Sequence, residues 1–405
     1  MPRSSHMQRL RMMHPLLICL VATAGGCQPD ARKVRGATIV EQPAVEADPA
    51  AASDDGAFLA RCRAAADYSR EHDGEVMLVL LDGEPVFEDA VRGFTIDSLH
   101  ALASGTKSFS GIAAALAAED GLLSLDEKAS DTIHEWREDP RKSQITVRQL
   151  LSLAAGIESL GNTIDNPRNA RAAGITDRAA ASIDARPLAA PGARFIYGPS
   201  SFYVFGELMR RKLAAARTGD GDVVGYLTRK VFKPLGVNPV FLRDDAGNAN
   251  LPGGCRMSAR DWAAFGELIR NDGVHNGTRL LAQERLAELM RPYGPNAAYG
   301  LTWWLLRDDP DAADPEDALA DDIAAERLEE RGGAIRRRLA SRARERAAAA
   351  GPDPASPILG FMAAGKGKQR LYILPEQRLT VVRFGPIEGS KGFENRDFLR
   401  ILLDR

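Results

Sequence analysis

The chain has 405 residues, 44% of them hydrophobic, and carries a formal net charge of −2. That is enough apolar material for one large domain or two moderate ones with a sizeable core. A balance so close to neutral gives no electrostatic footprint for nucleic acid, and none is expected as a partner.

Near the start, Arg9 and Arg11 precede the short apolar run Leu16 to Ala22, the n- and h-regions of a secretory signal. The run is too short for a stable membrane span. Ala24, Gly25 and Gly26 then lead into Cys27 with the small side chains of a bacterial lipobox, although a large aliphatic residue is more usual where Ala24 stands. Residues 1–27 are therefore read as a signal peptide with a lipobox, and Cys27 as a lipidated residue. The expected location is the periplasm or cell envelope, at a membrane through that lipid. A simple secretory signal with an incidental cysteine is the alternative. Residues 28–55, rich in Ala, Pro, Asp and Glu, have the composition of a solvated tether, and 56–405 is the folded domain.

Beyond Cys27 only Cys62 and Cys255 remain, and both pairing and two separate buried thiols stay open. Six scattered histidines, with no His-x-x-x-His or Cys-x-x-Cys spacing, give no metal signal, and no cofactor is called for.

In chain order, Phe58 to Ser69 reads as a helix. Val76 to Leu81 and Pro85 to Phe87 read as a hairpin around Asp82-Gly83. Ser104 to Leu116 reads as a helix closed by Asp120-Gly121, and a second helix opens behind Thr146 as its N-cap. Phe202 to Met209 and Ser258 to Arg270 read as further helices. The run 308–355, dominated by Asp, Glu, Arg and Ala, reads as an exposed, charged helical insertion. Arg370 to Leu374 and Leu379 to Phe384 read as strands around Pro375-Glu376-Gln377, with a closing helix from Phe393 to Leu403. Both ends of the domain thus read as parts of one antiparallel sheet flanked by helices.

Three stretches carry chemistry. In Ser104-Gly105-Thr106-Lys107 a helical spacing brings a hydroxyl and an amine to one face. Serine is inert near neutral pH unless a base takes its proton, and lysine is such a base only when burial or a nearby cation lowers its pKa. Free N–H groups at the helix start would favour an oxyanion there. In Pro191 to Phe202 a turn delivers Tyr197. On local sequence alone this is a packing aromatic; beside Ser104 and Lys107 it would relay the serine proton. In Gly360 to Gln369 small residues on an edge strand let a substrate approach, and one peptide N–H there would complete an oxyanion hole. The same glycines are also ordinary turn chemistry.

The order of these pieces is similar to the serine β-lactamase-related hydrolases: class C β-lactamases, D-Ala-D-Ala carboxypeptidases, family VIII esterases and 6-aminohexanoate-dimer hydrolases. The resemblance runs from about Val76 to Phe384 without the insertion. Besides Ser104 to Lys107 it includes Gly121 to Asp126, Ile145 to Ser152, Pro191-Gly192 ahead of Tyr197, and Pro252-Gly253-Gly254 before Met257 to Asp261. It implies an α/β (α+β) β-lactamase/transpeptidase-like fold, an antiparallel sheet flanked by helices plus an all-helical lobe, with the site between them. It also implies a Ser104 acyl-enzyme, Lys107 and Tyr197 as proton-transfer groups, and the backbone N–H groups of Ser104 and Ala364 as the oxyanion hole. Pro199, Phe361, Met362, Ala363 and Gly365 would border the substrate. Three departures stand out. Pro199 replaces the asparagine of Tyr-x-Asn, Leu153 to Gly156 replaces His-Thr-Ser-Gly, and Phe361 to Ala363 replaces the Lys-Thr-Gly or His-x-Gly triplet, leaving Lys366 or Lys368 as the substitute donors to a substrate carboxylate. The expected activity is serine hydrolysis of a small ester, amide or lactam. A true β-lactamase or D-Ala-D-Ala carboxypeptidase, and an inactive envelope binding protein, are the alternatives.

Overall fold

The computed structural model describes residues 49–309, apart from 166, and 353–405, with scattered positions between 333 and 342. The expected signal peptide, Cys27, most of the tether and most of the 308–355 insertion lie outside the described residues. A helix, Pro49–Glu71, already begins within the stretch read as tether.

Strands β1 (Val76–Leu81) and β2 (Glu84–Ala90) meet at Asp82 and Gly83, whose φ angles are 51° and 86°. A two-residue hairpin turn that matches the strand twist needs positive φ at both positions, and Asp-Gly tolerates it. Four more strands, β3 (Trp304–Arg307), β4 (Ile358–Gly365), β5 (Gln369–Leu374) and β6 (Leu379–Phe384), complete one antiparallel sheet in the order β2-β1-β6-β5-β4-β3. Sequence-distant strands are neighbours, with Val76 opposite Phe384 and Leu81 opposite Leu379.

Both faces of the sheet are covered, which is why β1, β5 and β6 read as almost continuous apolar runs. On one face lies the helix Ala259–Arg270, capped by Ser258, whose side chain accepts from the Asp261 N–H at 3.0 Å. Its Trp262 stacks on Phe384, ring centroids 5.4 Å apart. Its Gly266 sits so close to the sheet that an added Cβ would lie 2.8 Å from both Leu371 and Thr380. On the other face Tyr372 stacks on Phe398 of the helix Asn395–Leu403, and Arg61 of the Pro49–Glu71 helix donates to the Leu402 carbonyl at 3.3 Å.

Between the two arms of the sheet the chain is mostly helical. The helix Ser108–Glu119 is apolar all round and buried from Ser108 to Ala117, as a helix without a polar face must be. It ends at Asp120 and left-handed Gly121. Thr146 caps Val147–Leu151 in a reciprocal box with Gln149, and Ser200–Ala215 extends beyond the Phe202 to Met209 stretch expected from the sequence.

One expectation is corrected, and one question left open is closed. The strand carrying Phe361 to Gly365 is not the edge strand, because β3 lies outside it; that pairing stops at Met362 opposite Trp304, so Ala363 to Gly365 extend past β3. Cys62 and Cys255 do not pair: both are free and buried. Burial pushes the Cys62 thiol up to about 11 and that of Cys255 higher still, so neither is a reactive thiolate.

Gly266→Ala drives a methyl into the sheet, and a loss of about 1 to 3 kcal/mol is expected from overpacking. Chemical denaturation should show a lower midpoint at unchanged m-value.

Candidate active site

Leu102 to Lys107 runs between the sheet and the helical lobe. The strand His100–Ala101 pairs with Cys255–Met257, and the Leu102 N–H donates to the Cys255 carbonyl at 2.9 Å. Ala103 then takes a left-handed φ of 46° and turns the chain into a short 3₁₀ helix, Ala103–Lys107, before the α-helix begins at Ser108. Ser104 is therefore inside a 3₁₀ turn rather than at the first residue of an α-helix. In a 3₁₀ turn residues three apart eclipse each other, which aligns Ser104 and Lys107.

The Lys107 Nζ donates to Ser104 Oγ at 3.0 Å and to the Pro252 carbonyl at 2.7 Å. Ser104 is half-buried, whereas Lys107 is only 4% exposed. Nζ lies 4.8 Å from the ring centroid of Tyr197 and 5.4 Å from that of Phe202. Desolvation dominates its titration and brings the amine down to about 8, while the Asp165 carboxylate opposes this by favouring the ammonium. Thr106 holds the turn, its hydroxyl donating to the Ala103 carbonyl at 2.7 Å and accepting from the Cys255 N–H at 3.1 Å.

Tyr197 is half-buried and presents its ring to Lys107. An aromatic group backs it: Trp304 stacks on it at 6.2 Å, and Tyr299 and Phe195 meet Trp304 at 4.8 and 6.3 Å. Pro199 is buried as the residue preceding the Ser200–Ala215 helix. The Ser200 hydroxyl there donates to the Ser159 carbonyl at 2.7 Å.

The projecting end of β4 closes the other side. An added Cβ on Gly365 would fall 2.1 Å from the Leu102 carbonyl oxygen and 3.1 Å from the Gly105 nitrogen, so β4 and the Ser104 turn approach backbone to backbone. Ala364 is the residue before it. Met362 and Ala363 are 0% and 2% exposed and belong to the core, and only Phe361 of that triplet is half-buried; the expected apolar wall is thus mostly beneath the surface. Lys366 is bound by Glu388 at 2.5 Å, in solvent. The structure brings Ser104, Lys107, Tyr197 and the Gly365 end of β4 together and leaves Met362 outside.

Sequence reasoning missed the Pro252 carbonyl, Phe202, Asp165 and the Trp304 group. Pro252-Gly253-Gly254 is recognisable as a motif, but nothing in it signals that a carbonyl 145 positions from Lys107 would anchor the amine.

Comparison with known proteins places the chain in a family. The family model described as Beta-lactamase matches residues 59–403. The chain belongs to the β-lactamase family. It has the β-lactamase/transpeptidase-like fold. Lovastatin esterase of Penicillium rubens is 26% identical over 273 residues, 49% of this chain and 65% of that protein, so the match spans less than two thirds of that relative's length. A family VIII carboxylesterase superposes with a TM-score of 0.59 at 17% identity over 85% of this chain and 96% of that one. A β-lactamase/D-alanine carboxypeptidase from Pseudomonas syringae gives 0.57 at 16% identity over 86% and 99%. At these identities both show the fold alone.

Gly365→Ala would force β4 off the Ser104 turn. If β4 supplies the expected oxyanion donor, turnover should fall by about a hundredfold, the scale for losing one such donor, with the far-UV circular dichroism unchanged. Wild-type turnover in this variant would mean that the close approach has no bearing on the site.

Proposed function

We propose that this β-lactamase-family hydrolase cleaves small carboxylic esters through an acyl-enzyme on Ser104. The observation that carries the reading is the 3.0 Å contact between Ser104 Oγ and a buried Lys107 amine drawn down to about 8. With the amine neutral, the Oγ–H donates to Nζ. As Oγ attacks the ester carbonyl, its proton passes to Lys107 and the carbonyl oxygen becomes an oxyanion facing the Ser104 and Ala364 amides. Collapse of the tetrahedral intermediate breaks the bond to the leaving alkoxide or phenoxide, which takes the proton back from the Lys107 ammonium, with Tyr197 beside the path. Water then attacks the acyl-Ser104 ester, giving its proton to the same base, which returns it to Ser104 Oγ as the second tetrahedral intermediate collapses and the acid leaves.

An ester is favoured over a lactam or a D-Ala-D-Ala end because the latter need their carboxylate held by charged donors, each worth about 1.5 to 3 kcal/mol. The family triplet that would supply one is Phe361 to Ala363 here, and Lys366 is engaged by Glu388. Pro199, in place of asparagine, has no side-chain amide to offer an acylamide. The likeness to an esterase over half of the chain points the same way.

For p-nitrophenyl butyrate, kcat/KM should exceed that for the cephalosporin nitrocefin, with Ser104→Ala as the blank for both. A preference for nitrocefin would turn the assignment to β-lactam hydrolysis.

The base must be neutral to act. Because burial depresses the Lys107 pKa, kcat/KM should rise about tenfold per pH unit up to about 8 and then level off. Asp165→Asn, which removes the charge that favours the ammonium, should move this limb to lower pH. A limb that stays in place in the variant, or a flat profile below pH 8, would exclude Lys107 as the base.

A further inference from the structure

Behind the β4 end, on the sheet face opposite the Ala259–Arg270 helix, two arginines are wholly buried. Arg370 and Arg383 are both 0% exposed and stand directly opposite each other across β5 and β6, so their side chains share one face. Arg370 is also the register partner of Ala364.

Their hydrogen bonds converge on the turn between β4 and β5. Arg370 Nη1 donates to the Gly365 carbonyl at 3.2 Å and to the Gln369 carbonyl at 3.0 Å, while its Nε donates to Asn395 Oδ1 at 2.7 Å. Arg383 Nη1 donates to the Lys368 carbonyl at 2.8 Å and to that of Gly367 at 3.4 Å. Its other nitrogens reach the C-terminal end of the Pro49–Glu71 helix, at Ser69 Oγ (3.0 Å) and at the carbonyl of His72 just beyond it (2.8 Å), and also Ser390 Oγ (3.1 Å). The guanidinium carbon lies 4.1 Å from the centroid of the Phe393 ring. Burial pulls Arg383 down only to about 10, so it remains a cation at neutral pH.

Two buried cations are costly, and a β-turn does not need them for folding, since replacing buried ionic groups by apolar ones of similar volume is often neutral for stability. Their placement has a geometric consequence. In a strand the N–H and C=O of one residue point to the same side, and successive residues alternate. Arg370 grips the Gly365 carbonyl, one residue beyond the Ala364 amide expected to bind the oxyanion, so it acts on the backbone that sets which way that amide points.

We propose that Arg370 is a positioning residue for the oxyanion-binding end of β4, with Arg383 fixing the adjoining turn to the N-terminal helix. Arg370 sets the phase of the strand so that the Ala364 amide faces the reacting carbonyl, and the pair adds positive potential behind it. This rests on the reading of Ser104 as the nucleophile.

The test compares Arg370→Met, Arg370→Lys and Arg383→Met with wild type in three measurements: kcat and KM for p-nitrophenyl butyrate, affinity for phenylboronic acid, which mimics the tetrahedral intermediate on a serine, and fluorophosphonate labelling mapped to Ser104. In Arg370→Met, kcat should fall by about tenfold to a hundredfold with KM within about threefold, the scale for misplacing a catalytic group by about 1 Å. Boronate affinity should fall by the same factor. Arg370→Lys should recover little, because an ammonium cannot reach three acceptors in the fork geometry of guanidinium. Arg383→Met should show the same pattern more weakly. A purely structural role would lower the melting temperature and leave kcat and boronate affinity of the folded protein unchanged, and that result overturns the proposal. If the arginine variants do not fold, Asn395→Ala removes the acceptor that orients Arg370 Nε and the Tyr372 hydroxyl; a parallel loss in kcat and boronate affinity supports positioning, and no loss overturns it. Wild type that labels at Ser104 while the variants keep full kcat refutes the arginine role alone, whereas wild type that does not label at Ser104 refutes the reading beneath it as well.

Discussion

A primary amine held almost wholly out of water is the constraint around which the site is arranged. Moving an ammonium into an apolar medium is costly, and the least costly response is loss of the proton, so the burial that destabilises Lys107 as a cation favours its neutral amine. The surroundings keep it from escaping to solvent: the Pro252 carbonyl takes one N–H at 2.7 Å, Ser104 Oγ takes another at 3.0 Å, and the faces of Tyr197 and Phe202 stabilise whatever positive charge remains. Directly after it the Ala-rich helix is buried through its first ten residues, from Ser108 to Ala117.

Several oddities of the backbone result from bringing these groups together. Ala103 sits in a left-handed conformation that costs an L-residue about 1 to 2 kcal/mol, and it is the residue at which the chain leaves a strand and turns so that Ser104 and Lys107 eclipse. Thr106 retains that turn through the Ala103 carbonyl and the Cys255 N–H. Gly365 has no side chain because the Leu102 carbonyl occupies the space. The sheet and the lobe are therefore joined by backbone contacts at the point where the proposed oxyanion would form. Such contacts are rigid, in a way that two facing side chains would not be. The buried arginines continue the same logic one layer further out, tying the turn after β4 to helices at both ends of the domain.

Much of this was legible in the chain itself. The hairpin at Asp82-Gly83, the Thr146 and Ser258 caps, and the close of the Ser108 helix at Asp120-Gly121 all depend on local propensity and periodicity. Ser-x-x-Lys was legible for the same reason: an i, i+3 relation is set within one turn, whichever helix type forms.

Relations between positions far apart in the chain were not legible in this way. The edge position of β3 depends on Trp304 to Arg307 pairing outside β4, and the arm that precedes it is separated from β4 by the charged insertion. Met362 reads as pocket lining in a linear motif and is core in the sheet, because alternation and the neighbours on both sides, Trp304 and Tyr372, decide its surroundings. The separate fates of Cys62 and Cys255, the Pro252 carbonyl on Lys107 and the grip of Arg370 on Gly365 are equally tertiary. The sequence by itself determined the turn that pairs Ser104 with Lys107 and the order of the elements, since these rest on contacts within a few residues. Only the folded chain decided how far the amine is desolvated and what faces the serine, because burial is a property of everything packed around a group and not of its neighbours in the chain.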